Sequence, residues 1–303
     1  MASQSSVLDP AAAARPTPAR RSRRHRPRDQ RSPLKSVALH AGLLLAALVA
    51  LTPPAILFLT SIKPRSAWLN SEFKLIDSPT LDNYYQVLTN TGFLRWFANS
   101  LVVAGFTTVF GVLIAASAGY AASRSRFPGM RPFLWSLLIT QMFPVAILIV
   151  PIYDILARLQ LINSHAGLVI VYCTVAVPFC AWMLKGYFDT IPVEIDEAGR
   201  VDGLTPFGTF WRLVMPLARP GLAVTAFYSF LTAWGEVAYA SVLMAGEEEY
   251  TLSVGLQQFI GQYKAEWGLM TAAAVLIAIP ASIVFLLVQR HLVAGLTAGG
   301  TKS

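Results

Sequence analysis

Six separate runs of this chain are apolar for long enough to cross a lipid bilayer: Ser36–Leu59, Phe97–Ala122, Phe133–Leu156, Ala166–Leu184, Pro220–Met244 and Leu269–Val288. A hydrocarbon core about 30 Å thick needs roughly 20 mostly apolar residues in a helix. Only 13% of the 303 residues are charged, against roughly 25% in soluble domains. The expected fold class is therefore an all-α integral membrane protein with six transmembrane helices. Pro53, Pro54, Pro144, Pro151, Pro178 and Pro280 fall in or near these runs. Neighbouring helices can satisfy the carbonyls that such prolines free.

Charge sets the expected orientation. Nine of the 24 basic residues lie in residues 1–35 (Arg15, Arg20, Arg21, Arg23, Arg24, Arg26, Arg28, Arg31, Lys35), so the net charge of +8 belongs mostly to one tail. No aromatic interleaving or folded pattern accompanies that charge. The tail reads as a disordered cytoplasmic extension rather than a nucleic-acid-binding arm. The loop at 123–132 carries Arg124, Arg126 and Arg131 without an acid, whereas 245–268 carries Glu247, Glu248, Glu249 and Glu266 against Lys264. The positive-inside rule then puts both termini in the cytoplasm. The expected organisation is a tail at 1–35, a permeation domain at 36–294 and a cytoplasmic tail at 295–303.

One loop breaks the charge rule. Residues 185–219 hold Lys185, Arg200, Arg212 and Arg219 against Asp189, Glu194, Asp196, Glu197 and Asp202, yet span parity places them inside. The loop has the punctuation of two short helices. Pro192 suits a first helical position. Glu194, Asp196 and Glu197 crowd the first turn, where the helix dipole favours negative charge. Ile195, Ala198 and Val201 then fall three apart on one face. Gly203 supplies a left-handed stop. Thr205 is a cap candidate and Pro206 a first helical residue. Phe207, Phe210, Trp211 and Val214 follow at i, i+3, i+4 and i+7, before Pro216 as the expected stop. The product is an elbow at 192–216 with an acidic rim and an aromatic face. Acids disfavour burial against a negatively charged inner leaflet, so the elbow reads as a docking surface for a protein.

Other features are weighed against plainer readings. Gly111, Ala115 and Gly119 recur every four residues in the second span and form a flat ridge for close helix packing. Cys173 and Cys180 lie about two turns apart on one helix and read as small packing residues, not as a metal site or disulfide. The segment 61–96 is expected to lie at the outer surface, amphipathic around Leu81, Tyr84, Tyr85 and Leu88. Glu236 is the sharpest charge inside a span, a functional candidate by default, against which stands a structural hydrogen bond. Trp234 beside it could stack on a sugar ring or simply pack the bundle. The C-terminal Gly295–Ser303 nearly spells a phosphate loop, but Thr301 separates the last glycine from Lys302 and no helix can follow. Nucleotide chemistry would have to come from another chain.

The stretch Glu197-Ala198-Gly199-Arg200-Val201-Asp202-Gly203, closed by Pro216, resembles the EAA loop of ABC importer permeases, with Gly199 in place of the second alanine and Leu204 in place of the alanine after glycine. The resemblance covers about residues 36–303. Thr80–Tyr84, Asn99–Leu101, Pro178-Phe179, Trp234-x-Glu236, Val254–Phe259 and Gln289–Lys302 are similar to strings of the carbohydrate branch, the last two most of all to maltose permease subunits of the MalG type. What this implies is a MetI-like permease fold in the bacterial inner membrane and a non-catalytic subunit of an ATP-driven sugar importer. It implies no cofactor and no metal in this chain, with ATP and Mg held by a partner ATPase dimer. A MalF-like second permease and an extracytoplasmic sugar-binding protein complete the implied assembly. Glu197, Ala198, Gly199, Asp202, Gly203 and Pro216 would make up the ATPase-coupling helix pair, Glu197 its polar anchor and Gly203 its turn. Glu236 and Trp234 would border the substrate path, and 295–303 could touch the ATPase as well. Two other classes compete. A secondary transporter needs inverted repeats or several buried charges. A membrane enzyme needs clustered His, Asp or Glu. Within the family, trehalose or glycerol phosphate is an alternative cargo to maltose or maltodextrin.

Overall fold

The computed structural model describes residues 33–64, 78–125, 128–260 and 266–299. The basic tail before residue 33 and the end of the chain after 299 lie outside the described residues. Chain contacts divide the protein into two units, Met1–Thr52 and Pro53–Ser303.

In the first unit, α1 (Pro33–Ser61) begins. Leu34, Leu44, Leu48 and Leu51 are all more than half exposed. A helix that is apolar on every side needs a non-aqueous surround, and its polar side chains turn back on their own backbone. His40 Nδ1 lies 2.7 Å from the Ser36 carbonyl, and Thr52 Oγ1 donates to the Leu48 carbonyl at 2.9 Å.

The second unit holds the bundle. After the end of α1 come α2 (Asp82–Thr89), α3 (Phe93–Arg124), α4 (Met130–Thr140), α5 (Val145–Arg158) and α6 (His165–Phe188). Then follow α7 (Glu194–Val201), α8 (Pro206–Thr209), a π-helical turn at Phe210–Val214, α9 (Met215–Leu217) and α10 (Arg219–Trp234). The chain ends through α11 (Ala238–Leu243), α12 (Leu252–Gly255) and α13 (Trp267–Gly299). Among the described residues, four helices are long and apolar enough to cross a membrane alone, and two bent pairs raise the total to as many as six.

Two expected spans are not straight. The third is α4 and α5, bent by 98° between Thr140 and Val145. Pro144 occupies the N-cap of α5, and a proline pushes the residue before it out of the helical region. Gln141 Nε2 reaches across the break to the Val175 carbonyl of α6 at 3.1 Å. The fifth is α10, which stops at Trp234. A break at 235–237 precedes α11. Helix α13 also runs on to Gly299, through part of the segment expected to be a tail.

The centre of the bundle is the α3–α6 contact. Gly111, Ala115 and Gly119, the ridge read from the sequence, are buried together with Ala116, and the ridge packs within the chain. A methyl group on Gly119 would stand 2.9 Å from the Ala181 carbonyl and 3.0 Å from the Lys185 nitrogen, so the backbones touch there. On the same face of α6, Cys173 lies by the Thr107 carbonyl and Cys180 by the Thr225 carbonyl.

The face of α2 is the reverse of the one expected. Leu81 and Tyr85 are exposed, while Asn83 and Val87 are buried. Asn83 is drawn inward because its Nδ2 donates to the Ser61 and Lys63 carbonyls, both at 2.8 Å. An amide that satisfies two chain-end carbonyls outweighs an apolar face with no partner. Tyr84 is half-buried, its hydroxyl 2.6 Å from Ser61 Oγ.

Candidate functional site

The elbow has the corner its sequence implies but not the ends: Pro192 lies before α7, whose N-cap is Val193, instead of at its first helical position. Gly203 takes φ +78, and the chain reverses in a Schellman turn. Its N–H donates to the Arg200 carbonyl at 3.0 Å, and the Leu204 N–H to the Gly199 carbonyl at 2.8 Å. Thr205 caps α8 by accepting from the Gly208 N–H at 3.1 Å, with Pro206 at the first position.

Pro216 does not end the second arm. That arm continues to Leu217 and bends by 83° into α10 at Ala218. Proline has no N–H to give the carbonyl four residues back and its ring crowds that group, here Arg212. The chain meets this with a wide turn: the Met215 N–H bonds to the Phe210 carbonyl, five residues away, just before the proline.

The faces of the elbow differ from those read from spacing. Of the expected apolar face of α7, Ile195 is half-buried, Ala198 is exposed and Val201 is 87% exposed. The buried residues are Asp196 and Gly199. In the second arm Phe210 and Val214 are buried, whereas Phe207 is 70% and Trp211 41% exposed. The helical stripe is thus split. Phe210 packs on Tyr120 of α3 (ring centroids 4.7 Å apart) and on Phe188 at the end of α6 (6.3 Å). Phe207 and Trp211 pack on each other at 6.0 Å and face away.

Gly199 is the contact between the arms. A methyl there would meet Thr209 Oγ1 at 2.7 Å and Leu213 Cδ1 at 3.0 Å. Glycine lets α7 lie against the second arm, which is the physical reason for it where the resembled loop has its second alanine.

The inward side is held by charge. Asp196 is 4% exposed. Its Oδ2 accepts from Arg124 Nε at 2.8 Å, and its Oδ1 accepts from the Tyr120 hydroxyl. The same guanidinium donates through Nη2 to the Ile191 carbonyl at 3.0 Å and through Nη1 to the Phe188 carbonyl at 3.2 Å. Ser123 Oγ donates to Asp189 Oδ1 at 2.7 Å, and Lys185 Nζ pairs with Asp189 Oδ2 at 2.6 Å. Sequence reasoning used Arg124 only as an inside marker and Asp196 only as a first-turn acid. Their pairing joins α3 to α7 across 72 residues. The outward side carries Glu194, Glu197, Ala198, Val201, Asp202, Phe207 and Trp211, all exposed. Val201, Phe207 and Trp211 are its apolar residues and Glu194, Glu197 and Asp202 its acids, while Arg200 and Arg212 are exposed on the same two arms. Pro216 is exposed as well.

The two residues expected to border a substrate path lie elsewhere, in the bundle. Trp234 is 5% exposed. It stacks on Phe230 with centroids 5.3 Å apart, meets Phe97 edge-on at 5.8 Å, and donates from Nε1 to the Ile277 carbonyl at 3.3 Å. Glu236 sits in the break after α10. Its Oε1 accepts from the Tyr239 N–H at 2.8 Å, and its Oε2 accepts from the Ala240 N–H at 3.1 Å and from the Tyr172 hydroxyl at 2.7 Å. It caps the start of α11. Tyr239 also lines a cleft of about 440 Å³ at the α4–α5 bend, together with Thr140, Gln141, Phe143, Thr174 and Pro178.

Residues 89–298 match the family model for the binding-protein-dependent transport system inner membrane component. The chain belongs to this family of ABC importer permeases. It is a multi-pass inner-membrane subunit of a transport system, and ATP hydrolysis resides on a separate subunit. It is 42% identical over 215 residues to the maltose/maltodextrin transport system permease protein MalG of Salmonella typhimurium, covering 69% of this chain and 72% of the relative. It is 38% identical over 224 residues to the maltodextrin transport system permease protein MdxG of Bacillus subtilis, covering 74% and 81%. Among solved structures it is similar to a bacterial ABC transporter involved in the import of the acidic polysaccharide alginate. There the TM-score is 0.73 at 25% identity, over 85% of this chain and 96% of the other. The fold is also that of the MetNI methionine ABC transporter, with a TM-score of 0.53 at 20% identity over 70% and 96% of the two chains.

Proposed function

We propose that this permease subunit serves a maltose/maltodextrin-type sugar importer and that its elbow, on the cytoplasmic side, seats in a cleft of the partner ATPase. Both termini then lie in the cytoplasm. A MalF-like second permease completes the pore, and an extracytoplasmic binding protein delivers the sugar. The observation that carries this reading is the division of the elbow. Its inner face is fixed to α3 and α6 by buried contacts, while Val201, Phe207 and Trp211 stand exposed behind the acids Glu194, Glu197 and Asp202. A surface so built suits an apolar socket with a basic rim. Closure of the ATPase pair would move the elbow, and the spans would follow from inward-facing to outward-facing.

The substrate path is proposed to run beside the α4–α5 bend. Glu236 and Trp234 border it by fixing α11 and α10 rather than by touching sugar. Thr140, Gln141, Thr174 and Tyr239 supply polar groups to the cleft.

Co-purification of the reconstituted complex tests the docking role. Glu197→Ala and Gly203→Val should leave the protein inserted and reduce its association with the ATPase, and sugar-stimulated ATP hydrolysis should fall with it. Normal association and transport in both variants would refute the role. Ranking maltose, maltodextrins, trehalose and glycerol phosphate by stimulated hydrolysis, each with its binding protein, tests the cargo.

A further inference from the structure

Helices α6 and α10 are covalently continuous with the elbow, through residues 189–193 and through Ala218. Helix α3 is not. Among the described residues, displacement of the elbow reaches α3 by two routes: through α6, whose backbone touches α3 at Gly119, and directly through side chains. The direct contacts are apolar and polar. The Tyr120–Phe210 ring contact joins α3 to the elbow, and Phe188–Phe210 joins the end of α6 to it; neither has the fixed direction of a hydrogen bond. The Gly119 contact joins α3 to α6. The polar contacts are the knot of Arg124, Tyr120 and Asp196 and the Ser123–Asp189 hydrogen bond at the turn after α6.

We propose that Arg124, Tyr120 and Asp196 form the strut that carries movement of the elbow into α3, a positioning site for the transport step. The inference rests on the docking role proposed above and adds to it the element that receives the stroke. Arg124 and Tyr120 stand one turn apart at the end of α3 and hold the two oxygens of one carboxylate on α7. The guanidinium is a flat, rigid fork of donors, so its bonds fix direction as well as distance. The fork also holds the Phe188 and Ile191 carbonyls, gripping the end of α6 and the entry to the elbow together. The ion pair is shielded, with 13% and 5% of its side chains exposed, so solvent neither loosens nor screens it. Ser123, Asp189 and Lys185 extend the grip to the turn after α6. A contact that is polar, buried and shared by α3, α6 and α7 makes these elements shift together rather than slide. That is the behaviour needed of a two-state element.

The test uses the full complex with its ATPases and binding protein in liposomes. Two quantities are read: ATPase co-purification, and ATP hydrolysed per sugar accumulated. Asp196→Asn and Arg124→Lys should bind the ATPase as the wild type does, while ATP used per sugar rises by roughly tenfold, within the span typical of coupling free energies. Tyr120→Phe, which keeps the ion pair, should raise it by about twofold on the same scale. A purely structural knot would lower the yield of complex and leave the ratio of what assembles unchanged, and that result overturns the proposal. Should Asp196→Asn and Arg124→Lys fail to assemble, Tyr120→Phe decides, and an unchanged ratio in it is equally fatal. Glu197→Ala separates the two readings. Retained association and transport there and in Gly203→Val sink the docking role and the strut that rests on it, whereas an unchanged ratio in the knot variants sinks the strut alone.

Discussion

Asp196, buried, and Glu236, half-buried, are two carboxylates of one bundle satisfied in opposite ways. Asp196 reaches outside its own helix, to a cation and a hydroxyl on α3. Glu236 turns to the next turn of its own chain and caps α11, with one bond from Tyr172 of α6. The first arrangement ties elements that are distant in sequence, and the second repairs a local break in a span. The same carboxylate chemistry thus serves a long-range tie at one place and a local cap at the other, and the partners tell which.

The comparison can be broken most sharply at Arg124. Arg124→Ala strands Asp196 and two carbonyls in a shielded site, and removing one partner of a buried pair costs about 3–5 kcal/mol. The loss is expected as a lower thermal midpoint for the detergent-solubilised protein. A midpoint close to wild type would mean that the pair is not shielded. A smaller effect is expected at Glu236. Glu236→Gln keeps the shape but removes the charge and offers one acceptor where there were two, at a cost of about 1–2 kcal/mol. It should leave ATP use per sugar unchanged, because the break at α11 is separate from the elbow. The smallest effect belongs to the steric contact inside the elbow. Gly199→Ala gains about 0.5–1 kcal/mol of helix preference and loses more than that to crowding against Thr209. Thr209 Oγ1 is buried without a hydrogen-bond partner among the described residues. Adding Thr209→Ala should therefore restore the midpoint of Gly199→Ala, a recovery that thermal unfolding of the pair would show.

The sequence carried the elbow's corner better than its ends or its sides. Gly203, Thr205 and Pro206 act through their own backbone and nearest neighbours, so their roles could be read in place. Spacing also found the Gly111-Ala115-Gly119 ridge, because small residues four apart mean close approach whatever the partner. The sides were misread where a distant partner decides. Asp196 looks like any first-turn acid until Arg124 is brought to it, and Val201 looks like core until nothing covers it. Phe207 and Trp211 stand four apart on one row and Phe210 and Val214 on the next, and spacing alone has no signal for which row the bundle covers. Hydropathy gave the number of apolar runs but not their bends. At Thr140–Val145 and 235–237 the chain leaves the helix inside runs that are apolar overall, with Gln141 and Glu236 providing the local hydrogen bonds that make this tolerable.

The widened turn at Phe210–Val214 has one more consequence. One residue of a regular helix is worth about 100° of rotation. Deleting a single residue there would restore an ordinary pitch and swing the bearing of Phe207 and Trp211 by about that angle, with every side chain of the patch retained. The compass heading of this surface is thus written in chain length, not in chemistry. Two relatives could carry identical contact residues and still point them at different targets.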